Sequence, residues 1–415
     1  MRQIRLLFVV ISLACCGPLF GLAAASPAQD LFDQAAYLLI VNYGGFSSAA
    51  PKALEVQFQL ELDRACAAQV ETCPYMAAHP VIARMVEALR DKHTNFVPAE
   101  TLTAINGILR GTASSEKSIG LYTVAANRSA SRIVLGVFAQ SPAARAGLQR
   151  GDRIVAVNGR AVSRFGDQIY SLLAGQNGAV RLLVLRAGKS FTATLEPEVL
   201  PPLPGASLTM RPDGIAVLQI PTFFLQDLGL QVQVLLRQAQ AKNARGLILD
   251  LRDNGGGLVS EYVRIVGALI DDPGRIFDSL NLLRKQSLQF RDGELKSGPL
   301  EAARANSAIW AGPLVVLVNA GSASASEFTA HDLQRYLKAT VIGEITYGVG
   351  NTLTSFLPLE DGSGLQISLS KAVGADGTPY PERITPDIAV TDDLEVLNRT
   401  GRDAVLERAV EVLSK

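Results

Sequence analysis

Cysteine and histidine are scarce in this chain: 415 residues carry four cysteines, three histidines and a single tryptophan. No charge of either sign is in excess, since Lys+Arg and Asp+Glu both count 39. The missing basic surplus excludes an electrostatically driven nucleic-acid binder. No polybasic cluster marks a surface for anionic lipids. Internal repeats and low-complexity tracts are absent too. Disorder is excluded by what is present, because 48% of the residues are hydrophobic and only 19% charged. The length suits two or three domains with sizeable cores.

Residues 1–25 read as a signal peptide. Arg2 and Arg5 form a basic start, Leu6 to Cys16 an apolar stretch, and Ala23-Ala24-Ala25 a small-residue cleavage site. Gly17 and Pro18 interrupt the apolar run, which is short for a membrane span of about 20 residues. A lipoprotein anchor on Cys15 or Cys16 is the weaker reading, because the residues before each cysteine fit a lipobox poorly. The expected location is the periplasm. Cleavage would leave a slightly acidic chain with only Cys66 and Cys73, seven positions apart. In an oxidising compartment such a pair is expected as a local disulfide. Without histidines at ligand spacing the two make no metal site.

Three segments follow. Residues 26–110 are helical by pattern, with Leu54, Phe58, Leu60 and Ala65 and then Val81 to Leu89 at helical spacing. Residues 111–200 hold short β-rich runs at Ser131–Phe138, Arg153–Val157 and Val180–Arg186, cut by Gly, Pro and Asn. The proline-rich stretch Pro197–Pro204 reads as a linker. Residues 205–415 alternate strands and helices. They predict an α/β core with a mixed, largely parallel sheet, whose site lies beyond the carboxyl ends of its strands.

The run from Ser141 through Gly147, Gly151 and Asp152 to Asn158-Gly159 resembles the PDZ domains of bacterial periplasmic proteases. Its glycines allow tight turns, and Asn158-Gly159 suits a hairpin. The resemblance makes Ser118-Ile119-Gly120-Leu121 the carboxylate-binding loop. Ile119, Gly120 and Leu121 are then the peptide-binding residues, and the peptide adds a strand to a sheet edge.

Three more passages are Asp250-Leu251-Arg252-Asp253-Asn254-Gly255-Gly256-Gly257, Val318-Asn319-Ala320-Gly321-Ser322-Ala323-Ser324-Ala325-Ser326-Glu327, and Pro386-Asp387-Ile388. With the PDZ-like module they resemble the C-terminal-processing (tail-specific) serine peptidases over roughly residues 80–390. The resemblance implies an endopeptidase that recognises apolar protein C-termini and needs no cofactor or metal. Self-association and a regulatory lipoprotein adaptor both remain open. Ser324 follows a buried strand and begins a helix, whose N-terminus favours negative charge. It is the expected nucleophile. Ala325 and the glycine turn, Gly256 first and Gly257 next, are the expected oxyanion donors.

The general base departs from the family pattern. Members usually carry a lysine between glycines after the serine helix, and here that position in Gly348-Val349-Gly350 is Val349. The usual glutamine four residues later is Leu353. Lys338 lies fourteen residues past Ser324, about 20 Å along a helix, and His331 seven residues, about 10 Å, so neither reaches. Lys371 falls where relatives commonly carry a structural basic residue. His93, in Asp91-Lys92-His93-Thr94, resembles an element that supplies the base in tricorn-core and chlamydial-protease relatives. Lysine-type members also carry this histidine without using it. The lost lysine turns the reading toward His93, and the resemblance to tricorn-like relatives, which place a triad glutamate about as far after the serine as Glu382 lies here (58 residues), makes Glu382 its orienting carboxylate. The competing reading is an inactive pseudopeptidase that binds tails as an adaptor.

Overall fold

The computed structural model describes residues 25–113, 115–126, 131–165, 178–270, 278–280, 285–291, 294–297, 309–374 and 378–415. The proposed signal segment, apart from Ala25, and Cys15 and Cys16 lie outside the described residues.

Three helices open the described chain: Pro27–Asn42, Pro51–Cys66 and Tyr75–Glu87. The first starts where its sequence says, because Ser26 caps it by accepting from the Gln29 N–H and Pro27 occupies the first turn. Leu54, Phe58 and Leu62 form the buried stripe of the second helix, whereas Leu60 points outward and is 58% exposed. Helical spacing therefore runs 54, 58, 62, and Leu60 does not belong to it. The helices share a core with Leu359, Leu365 and Ile367 of the C-terminal segment, so this region is not a free-standing unit. Cys66 and Cys73 are joined as a disulfide at the end of the second helix. It closes a short loop, and loss of both cysteines is expected to cost about 2 kcal/mol. Urea unfolding of the Cys66→Ala/Cys73→Ala variant measures this, and an unchanged midpoint would refute it.

The second region is an antiparallel sheet in the order Leu121–Ala126, Ser131–Val137, Arg153–Val157, Val180–Arg186, Lys189–Leu195. Ile119, Val134, Ile154, Leu182 and Val184 fill its core. The stretch read as a linker carries a strand, Glu198–Leu200, paired with Glu116–Ser118. The chain thus enters and leaves this region side by side.

The third region holds a six-stranded sheet in the order Ser207–Met210, Ile215–Gln219, Gly246–Asp250, Leu314–Val318, Thr340–Gly343, Ile388–Ala389. The first pair is antiparallel and the rest parallel. Helices Leu228–Ala241, Val259–Leu269 and Ala325–Leu337 cover one face, and Ala404–Leu413 packs on the other. A second sheet brings distant segments together. Strand Gly364–Val373 pairs with Thr352–Pro358 on one side and with Asn95–Val97 and Asp278–Leu280 on the other. That pairing carries the turn holding His93 to the core.

Ionic contacts dock the PDZ-like module. Arg150 donates to Asp253 (2.8 Å) and Asp392 (2.7 Å), and Asn398 Nδ2 donates to the carbonyls of Gly151 and Leu185. Asp253 opens the glycine turn, so the module touches the site's own scaffold.

Candidate active site

Ser324 stands between the buried strand Leu314–Val318 and the helix Ala325–Leu337. Its backbone adopts φ 53° and ψ −115°, a conformation that costs an ordinary L residue about 1–3 kcal/mol. Such an elbow lifts a hydroxyl out of the sheet at a helix N-terminus. The neighbouring bonds hold it there. Asn254 O accepts from the Ala323 N–H (3.0 Å) and from Ser326 Oγ (2.8 Å), and Ser322 Oγ donates to Leu251 O (2.8 Å). Asn319 ties the two loops together, accepting from the Asp253 and Gly321 N–H groups and donating to Asp253 and Asp392.

The glycine turn lies directly against the elbow. A Cβ on Gly256 would stand 2.7 Å from Ala323 O and 2.8 Å from Ser324 Cβ, so only glycine fits. The Gly256 N–H, however, donates to Asn254 Oδ1 at 2.9 Å. The Gly257 N–H makes no hydrogen bond among the described residues, and neither does that of Ala325. Gly256 thus provides clearance with its own N–H committed to Asn254, while the Gly257 and Ala325 N–H groups, also expected as oxyanion donors, carry no such bond.

His93 is 8% exposed, and its backbone N–H is held by Asp91 Oδ1 at 2.9 Å. Nδ1 lies 2.9 Å from Thr352 Oγ1, and Nε2 makes no hydrogen bond among the described residues. Burial lowers the imidazole pKa to about 4, against a smaller raising effect of Asp91. The ring is therefore neutral at neutral pH. No hydrogen bond joins it to Ser324.

Glu382, expected to orient His93, makes no hydrogen bond to it among the described residues. Its carboxylate is exposed and faces Arg383 at 3.8 Å, while its carbonyl accepts from the Gly350 N–H. The partner on Nδ1 is instead Thr352, which spacing along the chain could not reveal because 259 positions separate the two. Glu382, Val349, Asp91, Lys92 and Thr352 do line one cleft of about 550 Å³. Val349 is 5% exposed and offers no proton acceptor there. Lys338 caps the far end of the elbow helix, and the Lys371 ammonium sits 4.3 Å from the centroid of the Phe46 ring.

In the PDZ-like module the Gly120 N–H donates to Ser118 Oγ (3.0 Å), and the Ile119 side chain is buried in the core. Of the three residues expected to bind peptide, Leu121 begins the sheet-edge strand and is partly exposed.

A strained serine at a helix start, packed on a glycine turn, is the arrangement of a serine peptidase scaffold. The comparisons agree. Residues 214–390 match peptidase family S41, and residues 133–186 match the PDZ domain. The chain is 30% identical over 352 residues to the chloroplastic C-terminal processing peptidase of Tetradesmus obliquus, covering 79% of this chain and 72% of that one. It is 27% identical over 299 residues to the carboxy-terminal processing protease CtpA of Bacillus subtilis (strain 168), covering 71% and 60%. The solved photosystem II D1 C-terminal processing protease shares the fold, with a TM-score of 0.52, 24% identity and coverage of 92% and 99%. This chain belongs to peptidase family S41, the C-terminal processing serine peptidases.

Proposed function

We propose that this protein is a periplasmic endopeptidase that captures apolar protein C-termini on its PDZ domain and cleaves through an acyl-enzyme on Ser324. The observation that carries the reading is the strained Ser324 elbow packed on Gly256, with the Ala325 and Gly257 N–H groups making no hydrogen bond among the described residues. In this mechanism Ser324 Oγ attacks the scissile carbonyl carbon and its proton passes to His93 Nε2. The tetrahedral oxyanion accepts from Ala325 and Gly257. Collapse breaks the C–N bond, and the His93 proton goes to the leaving amine. Water then repeats the sequence and frees the enzyme. The N-terminal signal pattern supports the location, and self-association or a lipoprotein adaptor would act on this same unit.

Val349 favours a second reading, a tail-binding adaptor without turnover. The two separate in one assay, the cleavage of an unfolded protein ending in an apolar tail. The peptidase reading expects Ser324-dependent cleavage by the wild type, slowed when the tail is amidated. An inert wild type whose Val349→Lys variant cuts in a Ser324-dependent way would establish the adaptor.

A further inference from the structure

Glu327 lies three residues into the elbow helix, is fully buried, and has no cation among its hydrogen-bond partners. Its carboxylate accepts four hydrogen bonds. Oε2 takes the Ser324 N–H at 2.8 Å and the Val349 N–H at 3.0 Å. Oε1 takes the Thr346 hydroxyl at 2.5 Å and the Gly348 N–H at 2.9 Å. Four acceptances saturate a carboxylate. A carboxylate beside the family's lysine position invites the idea that it pairs with the ammonium. Here the side chain at that position is apolar and the carboxylate is fully used, so its partners are three backbone N–H groups and a hydroxyl rather than a base.

We propose that Glu327 is a positioning residue for the nucleophile: its carboxylate clasps the Ser324 N–H to the Thr346–Val349 segment and holds Ser324 in its strained elbow. The inference rests on Ser324 as nucleophile and deepens that reading. The argument is one of strain. A left-handed φ at a serine persists only where surroundings over-determine it. The bonds from Ala323, Ser322 and Ser326 anchor the loop on either side, but the bond to Glu327 is the one made by Ser324's own N–H. It also commits that N–H, leaving the oxyanion to Ala325 and the glycine turn. Thr346 reinforces the clasp, since its Oγ1 also accepts from the Ile384 N–H at 2.8 Å. Burial pushes the Glu327 carboxyl above the usual carboxylate range, while the four donors favour its ionised form.

The isosteric Glu327→Gln variant keeps the volume but points an amide N–H₂ at two of the donors. It is expected to lower kcat by at least about tenfold with KM unchanged, because substrate contacts are untouched. The amide proton resonances of Ser324, Gly348 and Val349 should all move upfield as their bonds to a charge are lost. A gentler pair guards against misfolding. Thr346→Val should lower kcat a few-fold and Thr346→Ser should restore it. Wild-type kcat in Glu327→Gln, unmoved resonances, or no rescue by Thr346→Ser would each overturn the proposal. Retained activity in Ser324→Ala would instead defeat the nucleophile assignment. The resonance shifts report on the clasp in either case, with or without turnover.

Discussion

Ser324→Ala is expected to lower kcat by at least about a thousandfold while the urea midpoint stays close to wild type, because a single hydroxyl is removed from a scaffold otherwise intact. His93→Ala should cost a comparable factor, and the double variant little more than either alone. Groups that act in one proton transfer are not additive. The acid limb of the rate profile follows from burial. An imidazole with pKa about 4 is a free base through neutral pH, so activity should persist well below 6.5 and fall only near pH 4. A sequence-only expectation of an ordinary histidine would place that limb near 6.5. Stability runs the same way. Between 6.5 and 4 the unfolded chain binds a proton that the folded chain refuses, so stability drops as pH falls through that window. Undiminished cleavage by His93→Ala, or a rate still climbing far above neutrality as for a lysine base, would defeat the assignment.

The largest stability effect is expected at Arg252. Its guanidinium is buried and donates to Asp250 (3.0 and 2.8 Å), to Asp403 (2.9 Å twice) and to Asp392 (3.2 Å). Arg252→Met fills the space but strips Asp250 and Asp403 of their guanidinium partner, while Asp392 keeps Arg150. Breaking such a network costs about 3–5 kcal/mol. The Asp403 carboxyl, which burial alone would raise, is held below its usual range by Arg252. Its contribution is therefore present above the unfolded carboxylate pKa and is lost as pH falls through the lower folded value. The gap between wild type and variant should be widest at neutral pH and narrow below about pH 4. Urea unfolding at pH 7 and at pH 3.5 measures both points. Equal stability at pH 7 would show the cluster to be inert. Because Asp250 precedes the glycine turn, turnover should fall together with stability.

Features whose cause is local were legible in the residues. Gly256 stands where a Cβ cannot, and a run of glycines after a buried strand announces that. The elbow was legible as a strand, a short Ser-Ala turn and a helix. Even the Glu327 clasp left a trace, since a serine followed three residues later by glutamate is a capping-box spacing. The valine between glycines in Gly348-Val349-Gly350 could be read directly.

What the chain could not show is who meets whom across the sheets. His93 reaches Thr352 only because Asn95–Val97 and Thr352–Pro358 flank the same strand, Gly364–Val373. Glu382 was placed by counting from Ser324, but a count along the chain does not set a direction, and its carboxylate turned out to solvent. The Gly256 N–H was lost as a donor to a side chain two residues away, a choice made by how the turn closes. Sequence alone determined the family, the Ser324 turn at a helix start and the valine in Gly348-Val349-Gly350, since these depend on residue type and short spacing. Only the tertiary structure decided the partner of His93, the commitment of the Gly256 N–H to Asn254 and the Arg252 cluster. Hydrogen bonds and ion pairs are satisfied over distances of about 3 Å in space, whatever the separation along the chain.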